Sequence, residues 1–253
     1  MHVKQLIAFT GALIFCFLLG SESALAATDN DLNLINASAR GDLRIFKMML
    51  EMGANPNALD NGGNSAILMA SYYANRDIVR RLIELGADVN VKGSVGYTPI
   101  GAAAMRRDTE IVRMLIKAGA RIDVRDDAGD TPLLNAIRFE QDENVKALLE
   151  AGADVDKASD KGETPIALAA QKGRLDFLDA LLAKGANMNI SGDQGTTPLY
   201  WAIFEGHDDI ATRLIQAGAN VHNPANGYSP LHWARTLGRP VVISQLVKMG
   251  VVN

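Results

Sequence analysis

Apolar positions in this chain come in short bursts whose rhythm changes every ten residues or so. Ile166 to Lys172 is a compact, alanine-rich run, and Phe177, Leu178, Leu181 and Leu182 then fall on one side of a helix. The pattern predicts two helices, one over Ile166–Lys172 and one over about Leu175–Lys184. Thr164-Pro165 opens the first. A threonine hydroxyl accepts an orphan backbone N–H, and proline fits the first helical position, where its missing donor would have had no partner. Gly173 and Gly185 can take the left-handed conformation that ends each helix. Helices shorter than ~12–15 residues are marginal in water. Each of these therefore needs a neighbour to cover its apolar side.

The chain supplies such neighbours by repetition. The capping position recurs as Ser65-Ala66, Thr98-Pro99, Thr131-Pro132, Thr164-Pro165, Thr197-Pro198 and Ser229-Pro230, in steps of 33 residues with a last step of 32. The closing pair recurs on the same beat as Gly53-Ala54, Gly86-Ala87, Gly119-Ala120, Gly152-Ala153, Gly185-Ala186 and Gly218-Ala219, with Gly250-Val251 last. A helix–turn–helix unit of this length that opens T-P-L-H-x-A resembles the ankyrin repeat. The nearest copy is Ser229-Pro230-Leu231-His232-Trp233-Ala234.

The resemblance covers nearly all of the chain after residue 28. It implies an all-α solenoid of stacked helix–turn–helix units with β-hairpin fingers, used to bind another protein and rarely for catalysis. Seven units are expected, over 27–57, 58–90, 91–123, 124–156, 157–189, 190–222 and 223–253. The first lacks a finger, and Asp29, Asn30 or Asp31 can cap its opening helix. Its Asn33, Asn36, Ser38 and Arg40 are polar, as suits a terminal repeat. The last ends on an apolar helix containing Val241, Val242, Ile243 and Val247, read as an imperfect cap or a sticky edge. Ala74, Arg107 and Glu140 stand where a glycine would end the first helix, so strain or a different turn geometry is expected there. The histidine that ties fingers to helices in the family is kept only as His232. Its place elsewhere holds Leu68, Gly101, Leu134, Ala167 and Tyr200, which implies less firmly pinned fingers.

Residues 1–26 read as a cleaved signal peptide. Lys4 and the free amine precede an apolar run from Leu6 to Leu19, and Ala24-Leu25-Ala26 matches the cleavage pattern. The run is shorter than the ~20 residues of a spanning helix. Cys16 is the only cysteine, so the remainder has no disulfide, thiol nucleophile or thiolate metal site. The leader and this cysteine-free body suggest export, to a bacterial periplasm first and to the exterior second.

Composition narrows function mainly by exclusion. A net charge of −4 does not suggest a nucleic-acid binder. No H-E-x-x-H, G-x-S-x-G or G-x-x-x-x-G-K-[ST] occurs. His207, His222 and His232 fall at unrelated places in the repeat. No catalytic residue, metal site or cofactor is expected, and no enzyme. Asp123, Asp126, Asp127, Asp130, Asp156, Asp160, Glu163 and Asp193 make the fingers acidic, which suits either solubility or a partner with basic and apolar residues. Asp126, Asp127 and Asp130 lack the ligand pattern of a calcium loop. Arg76, Arg80, Arg81, Arg106, Arg107 and Arg113 gather in units two and three. They read first as a solvated helix face and second as an anion patch.

In an ankyrin-like stack, the ends of the first helices and the finger tips line the concave face. Here these places hold Tyr72, Tyr73, Tyr97, Met105, Arg106, Arg138, Phe139, Phe204 and Tyr228. Large side chains on a solvent face mark interaction surfaces, and Tyr and Arg are enriched at binding hot spots. One continuous protein-binding groove through these nine is expected. The competing reading packs several of them between units. For Tyr72, Tyr73 and Phe139 exposure is favoured, and for Tyr200, Trp201 and Trp233 burial. The leading expectation is a monomeric binding module that protects or inhibits an envelope protein, with no membrane span once the signal is removed. A secreted effector acting on a host protein and a self-associating envelope scaffold are the alternatives.

Overall fold

The computed structural model describes residues 27–252. The expected leader over 1–26, with Cys16 and His2, lies outside the described residues. Within them the chain forms seven successive helix pairs: α1 (Asp29–Arg40) with α2 (Leu43–Glu51), α3 (Ala66–Tyr72) with α4 (Arg76–Glu84), α5 (Pro99–Ala104) with α6 (Thr109–Lys117), α7 (Pro132–Arg138) with α8 (Asp142–Glu150), α9 (Pro165–Gln171) with α10 (Leu175–Ala183), α11 (Pro198–Glu205) with α12 (Asp208–Gln216), and α13 (Pro230–Thr236) with α14 (Pro240–Lys248). First helices stack on first helices and second on second, each pair touching its sequence neighbours.

Local chemistry sets the boundaries. The hydroxyls of Ser65, Thr98, Thr131, Thr164, Thr197 and Ser229 each accept the amide three residues on, at 3.2–3.3 Å. In the opening unit the cap is Thr28, not one of the three residues expected. Asp31 completes a capping box by accepting the Thr28 amide and hydroxyl, both at 2.8 Å. Its other oxygen accepts the Asn55 amide at 2.6 Å, tying the start of α1 to the end of its own unit.

Packing follows from small residues. Ala70, Ala103, Ala136, Ala169 and Ala202 are fully buried in the first helices, where a methyl lets neighbouring backbones come close. The second helices supply the larger side chains, such as Ile78 and Leu82, Ile111 and Leu115, and Leu178 and Leu181, into one continuous core. In α14, Val247 is 50 % exposed, whereas Ile215 at the corresponding place in α12 is 7 % exposed under the next unit.

The turn between the two helices of a unit is covered by the next unit. His207 lies over Gly173, where an added methyl would come within 2.6 Å of the ring, and its Nε2 sits 3.1 Å from the Gln171 carbonyl. Ala74 and Glu140 adopt the left-handed conformation despite their side chains (φ 59° and 54°). Arg107 does not. That third turn is instead held from outside: the fully buried Asn144 of α8 donates Nδ2 to the carbonyls of Ala103, Ala104 and Arg106.

The fingers are tight turns with little strand pairing. Only two isolated bridges, Leu59 with Ser65 and Ala225 with Tyr228, occur among the described residues. Where a finger begins with aspartate, its carboxylate accepts the tip amides: Asp60 takes Gly62 and Asn64, and Asp126 takes Ala128 and Asp130. Where it begins with Gly93, Gly192 or Ala225, no such acceptor exists. The tip then turns through two left-handed residues, Val95-Gly96, Gln194-Gly195 and Asn226-Gly227, the type I′ geometry.

A further register runs between units. Asn57, Asn90, Asp123, Asp156 and Asn189 each accept, through Oδ1, the backbone amide 31 residues on, at 2.7–3.0 Å. Two of the finger aspartates thus serve the stack itself.

Candidate concave-face binding site

The residues expected to form the groove occupy three different environments. At the N-terminal end, Tyr72 and Tyr73 meet edge to face with ring centroids 5.1 Å apart. Tyr73 is 54 % exposed, while Tyr72 is half-buried. With Leu68, Val95 and Tyr97 they wall a cleft of about 230 Å³. The Arg106 guanidinium carbon lies 4.2 Å from the centre of the Tyr72 ring. Burial pushes the Tyr97 phenol above its ordinary value, and the nearby Asp126 adds to that.

Met105 corrects the expectation of one uninterrupted groove. It is 7 % exposed, packed with Leu68 and Ala102 beneath Tyr72 and Tyr97. Ala102 is small, so an unbranched side chain can fold down against it.

The middle of the face is polar and self-satisfied. Arg138 donates to both Asp130 oxygens, at 2.9 and 3.1 Å, and to Glu163 at 2.6 Å. Asn135 bonds Asp126 at 3.2 Å. Burial works against the Arg138 charge, but its hydrogen bond to Asp130 and the field of Glu163 outweigh this and raise its pKa. Arg138 is therefore a structural cross-link between two fingers. Beside it, Phe139 is 49 % exposed.

At the C-terminal end, Tyr200 stacks on Phe204 (5.5 Å) and meets Trp201 (5.2 Å) and Trp233 (5.5 Å) edge on. Tyr228 lies flat on His232 at 4.3 Å. This stacking, with a hydrogen bond from Trp233 Nε1 to the Ala225 carbonyl at 2.9 Å, joins the last finger to its helix. Tyr200 is buried and its hydroxyl accepts from Asn226 Nδ2, and Trp201 and Trp233 are half-buried. The ring packing expected for these three is present, with Phe204 (41 %) and Tyr228 (50 %) left on the surface. A cleft of about 370 Å³ opens between Trp201, Gln171 and Asp193.

The arginine cluster is largely neutralised. Arg76 pairs with Asp108, Arg80 with Asp77, Arg81 with Glu84 and Arg113 with Glu150. These pairs fit a solvated outer face, not an anion patch. Among the described residues no three His, Cys, Asp or Glu side chains gather as metal ligands would, and no helix is long and apolar enough to cross a membrane.

The family model described as "Ankyrin repeats (3 copies)" matches residues 5–93, 92–159 and 154–225. The chain belongs to the ankyrin-repeat family. No curated protein matches it. Ankyrin repeats are protein–protein interaction modules and are generally non-catalytic. Helix pairs stacked through their alanine faces fit that use, because they leave the finger side of each first helix uncovered.

Two contributors escaped the reading of the sequence. Asn144, which holds the backbone of Arg106, lies 38 residues away and carries no repeat signature. Val95 carries no signal of its left-handed conformation, which it adopts in a finger that begins with Gly93 and not with an aspartate. The inter-unit ladder did have a signal, an Asn or Asp recurring every 33 residues from Asn57 to Asn189.

Proposed function

We propose that this protein is an exported, monomeric binding module that grips an exposed segment of a periplasmic or envelope protein along its concave face and so protects or inhibits it. The observation that carries the reading is the set of exposed aromatic rings at the ends of the first helices on that face, Tyr73, Phe139 and Phe204. Rings left in water at a family's docking surface favour partner burial. Placement in the envelope is supported by the apolar leader and the cysteine-free remainder.

The test is cross-linking in intact cells, followed by identification of the captured protein. Tyr73→Ala combined with Phe139→Ala is expected to abolish capture with an unchanged melting temperature, because hot-spot truncations cost about 2 kcal/mol or more each. Full capture by the double variant refutes the face, and a cytoplasmic location of the mature chain refutes the compartment. A second reading, self-association, is favoured by the half-exposed Val241 and Val247 on α14. Light scattering that finds a single-chain mass at micromolar concentration would exclude it.

A further inference from the structure

Two arginines of the concave face differ in one respect. Arg138 is paired with two carboxylates through Nε and Nη2. Arg106, one unit earlier, is held flat on Tyr72, and no ion pair or hydrogen bond among the described residues uses its side chain. Its Nε is buried without an acceptor. A guanidinium is never deprotonated in proteins and offers five donors in a planar fork that matches a carboxylate. Its backbone is clamped by Asn144 from the next unit, so part of the cost of ordering it is already met in the free protein.

The neighbouring cleft adds an apolar half. Val95 stands on its rim, 59 % exposed, at φ 55° and ψ 24°. A β-branched residue in this region is a genuine outlier. Asn226 occupies the matching tip of the last finger with the Asn-Gly pair that this turn prefers. A strained, water-exposed valine beside Tyr73 gains nothing for the free fold, and strain of this kind gathers at ligand clamps.

We propose that the cleft of Tyr72, Tyr73, Val95 and Tyr97, together with Arg106, recognises an acidic side chain adjacent to a large apolar one in an extended segment of the partner polypeptide. The apolar side chain enters between Tyr73 and Val95, and the carboxylate pairs with the Arg106 guanidinium. The partner segment is thus acidic and apolar at this end of the face. The inference rests on the concave-face reading above, and assigns chemistry to one part of it.

The probe is an array of nine-residue peptides on a Gly/Ser background, each with a central Glu flanked by Leu, Phe or Trp. Gln and Lys replace Glu in two control sets, and Ala replaces the apolar residue in a third. With the full chain, Glu peptides are expected to bind about tenfold tighter than their Gln counterparts and to lose binding in the Ala set. Arg106→Gln is expected to erase the Glu-over-Gln preference, and Tyr73→Ala to weaken every peptide alike. Circular dichroism melts confirm that both variants remain folded. Equal binding of Glu and Gln peptides, preference for Lys, or a preference that survives Arg106→Gln overturns the proposal. If in-cell capture is lost with Tyr73→Ala and Phe139→Ala but the array shows no acidic preference, the chemistry fails and the docking face stands. If neither responds, both fail.

Discussion

Replacing Asn144 with alanine tests how the third and fourth units are held together. Asn144 is fully buried, and its Nδ2 lies 3.3 Å from the Ala103 carbonyl and 3.0 Å from that of Ala104, with the Arg106 carbonyl also in reach. One amide nitrogen has two hydrogens, so two of these bonds exist at a time. Ala103 already accepts the amides of Met105 and Arg106. The groups left stranded are therefore Ala104 and Arg106, helix-end carbonyls with no intrahelical partner. Each stranded buried group costs roughly 1–3 kcal/mol. Asn144 Oδ1 itself has no partner, and its removal returns roughly 1 kcal/mol on the same scale. The net expectation is a loss of about 2 kcal/mol, localised at one inter-unit boundary. In a stack stabilised by nearest-neighbour contacts, weakening one boundary uncouples the two sides. Both tryptophans lie on the C-terminal side, in α11 and α13. Urea unfolding followed by tryptophan fluorescence and by circular dichroism should coincide in the parent chain and separate in Asn144→Ala. Coincident curves shifted by less than about 0.5 kcal/mol would refute the clamp, because that is the size of an ordinary surface change.

Two further perturbations follow from single residues. Val95→Asn places the favoured residue at a left-handed tip whose present occupant costs roughly 1–2 kcal/mol. The melting temperature should rise by several degrees, and no rise would mean that Val95 is not strained. Asp31 sets an acid limit. Burial opposes its charge, but hydrogen bonds from Thr28 and Asn55 outweigh this and hold its carboxyl below the usual range. A carboxylate with a depressed folded pKa stabilises above its unfolded value of about 4, and this is lost as pH falls through the folded one. Helicity of the first unit should fall below about pH 4. Asp31→Asn should flatten that dependence, and an unchanged acid profile would exclude the capping box as its source.

What could be foreseen was local. A hydroxyl and a proline start each helix and a glycine stops the second one, and these effects act within four residues. The solenoid follows from repeating them. The outcome at the three non-glycine turns could not be foreseen, because it depends on residues a unit away. Ala74 and Glu140 bend left-handed, whereas Arg107 is spared by Asn144 on another helix. Met105 was misplaced for the same kind of reason: its burial depends on Leu68 of the preceding unit, on the smallness of Ala102 and on the rings of Tyr72 and Tyr97. The finger acids looked like a charge display. Asp123 and Asp156 are instead acceptors for backbone amides of the next unit, a role invisible until two units are laid side by side.

The arrangement of the concave face bears on how long its ligand must be. Tyr73 and Phe204 stand at opposite ends of the aromatic row, four units apart, with the Arg138 ion-pair network between them. Packed helices lie about 8–10 Å apart, so the two rings are separated by roughly 32–40 Å along the stack. An extended chain advances about 3.3 Å per residue. A segment that engages both ends therefore needs roughly ten to twelve residues, and it crosses a middle whose arginine is already paired with two carboxylates. A short motif reaches only one end. Of the two, the N-terminal end has the cation without a partner and the strained valine, whereas the C-terminal rings largely satisfy one another. On the proposal above, recognition of a short motif belongs to units two and three, and the remaining units extend it only when the partner offers a longer exposed strand.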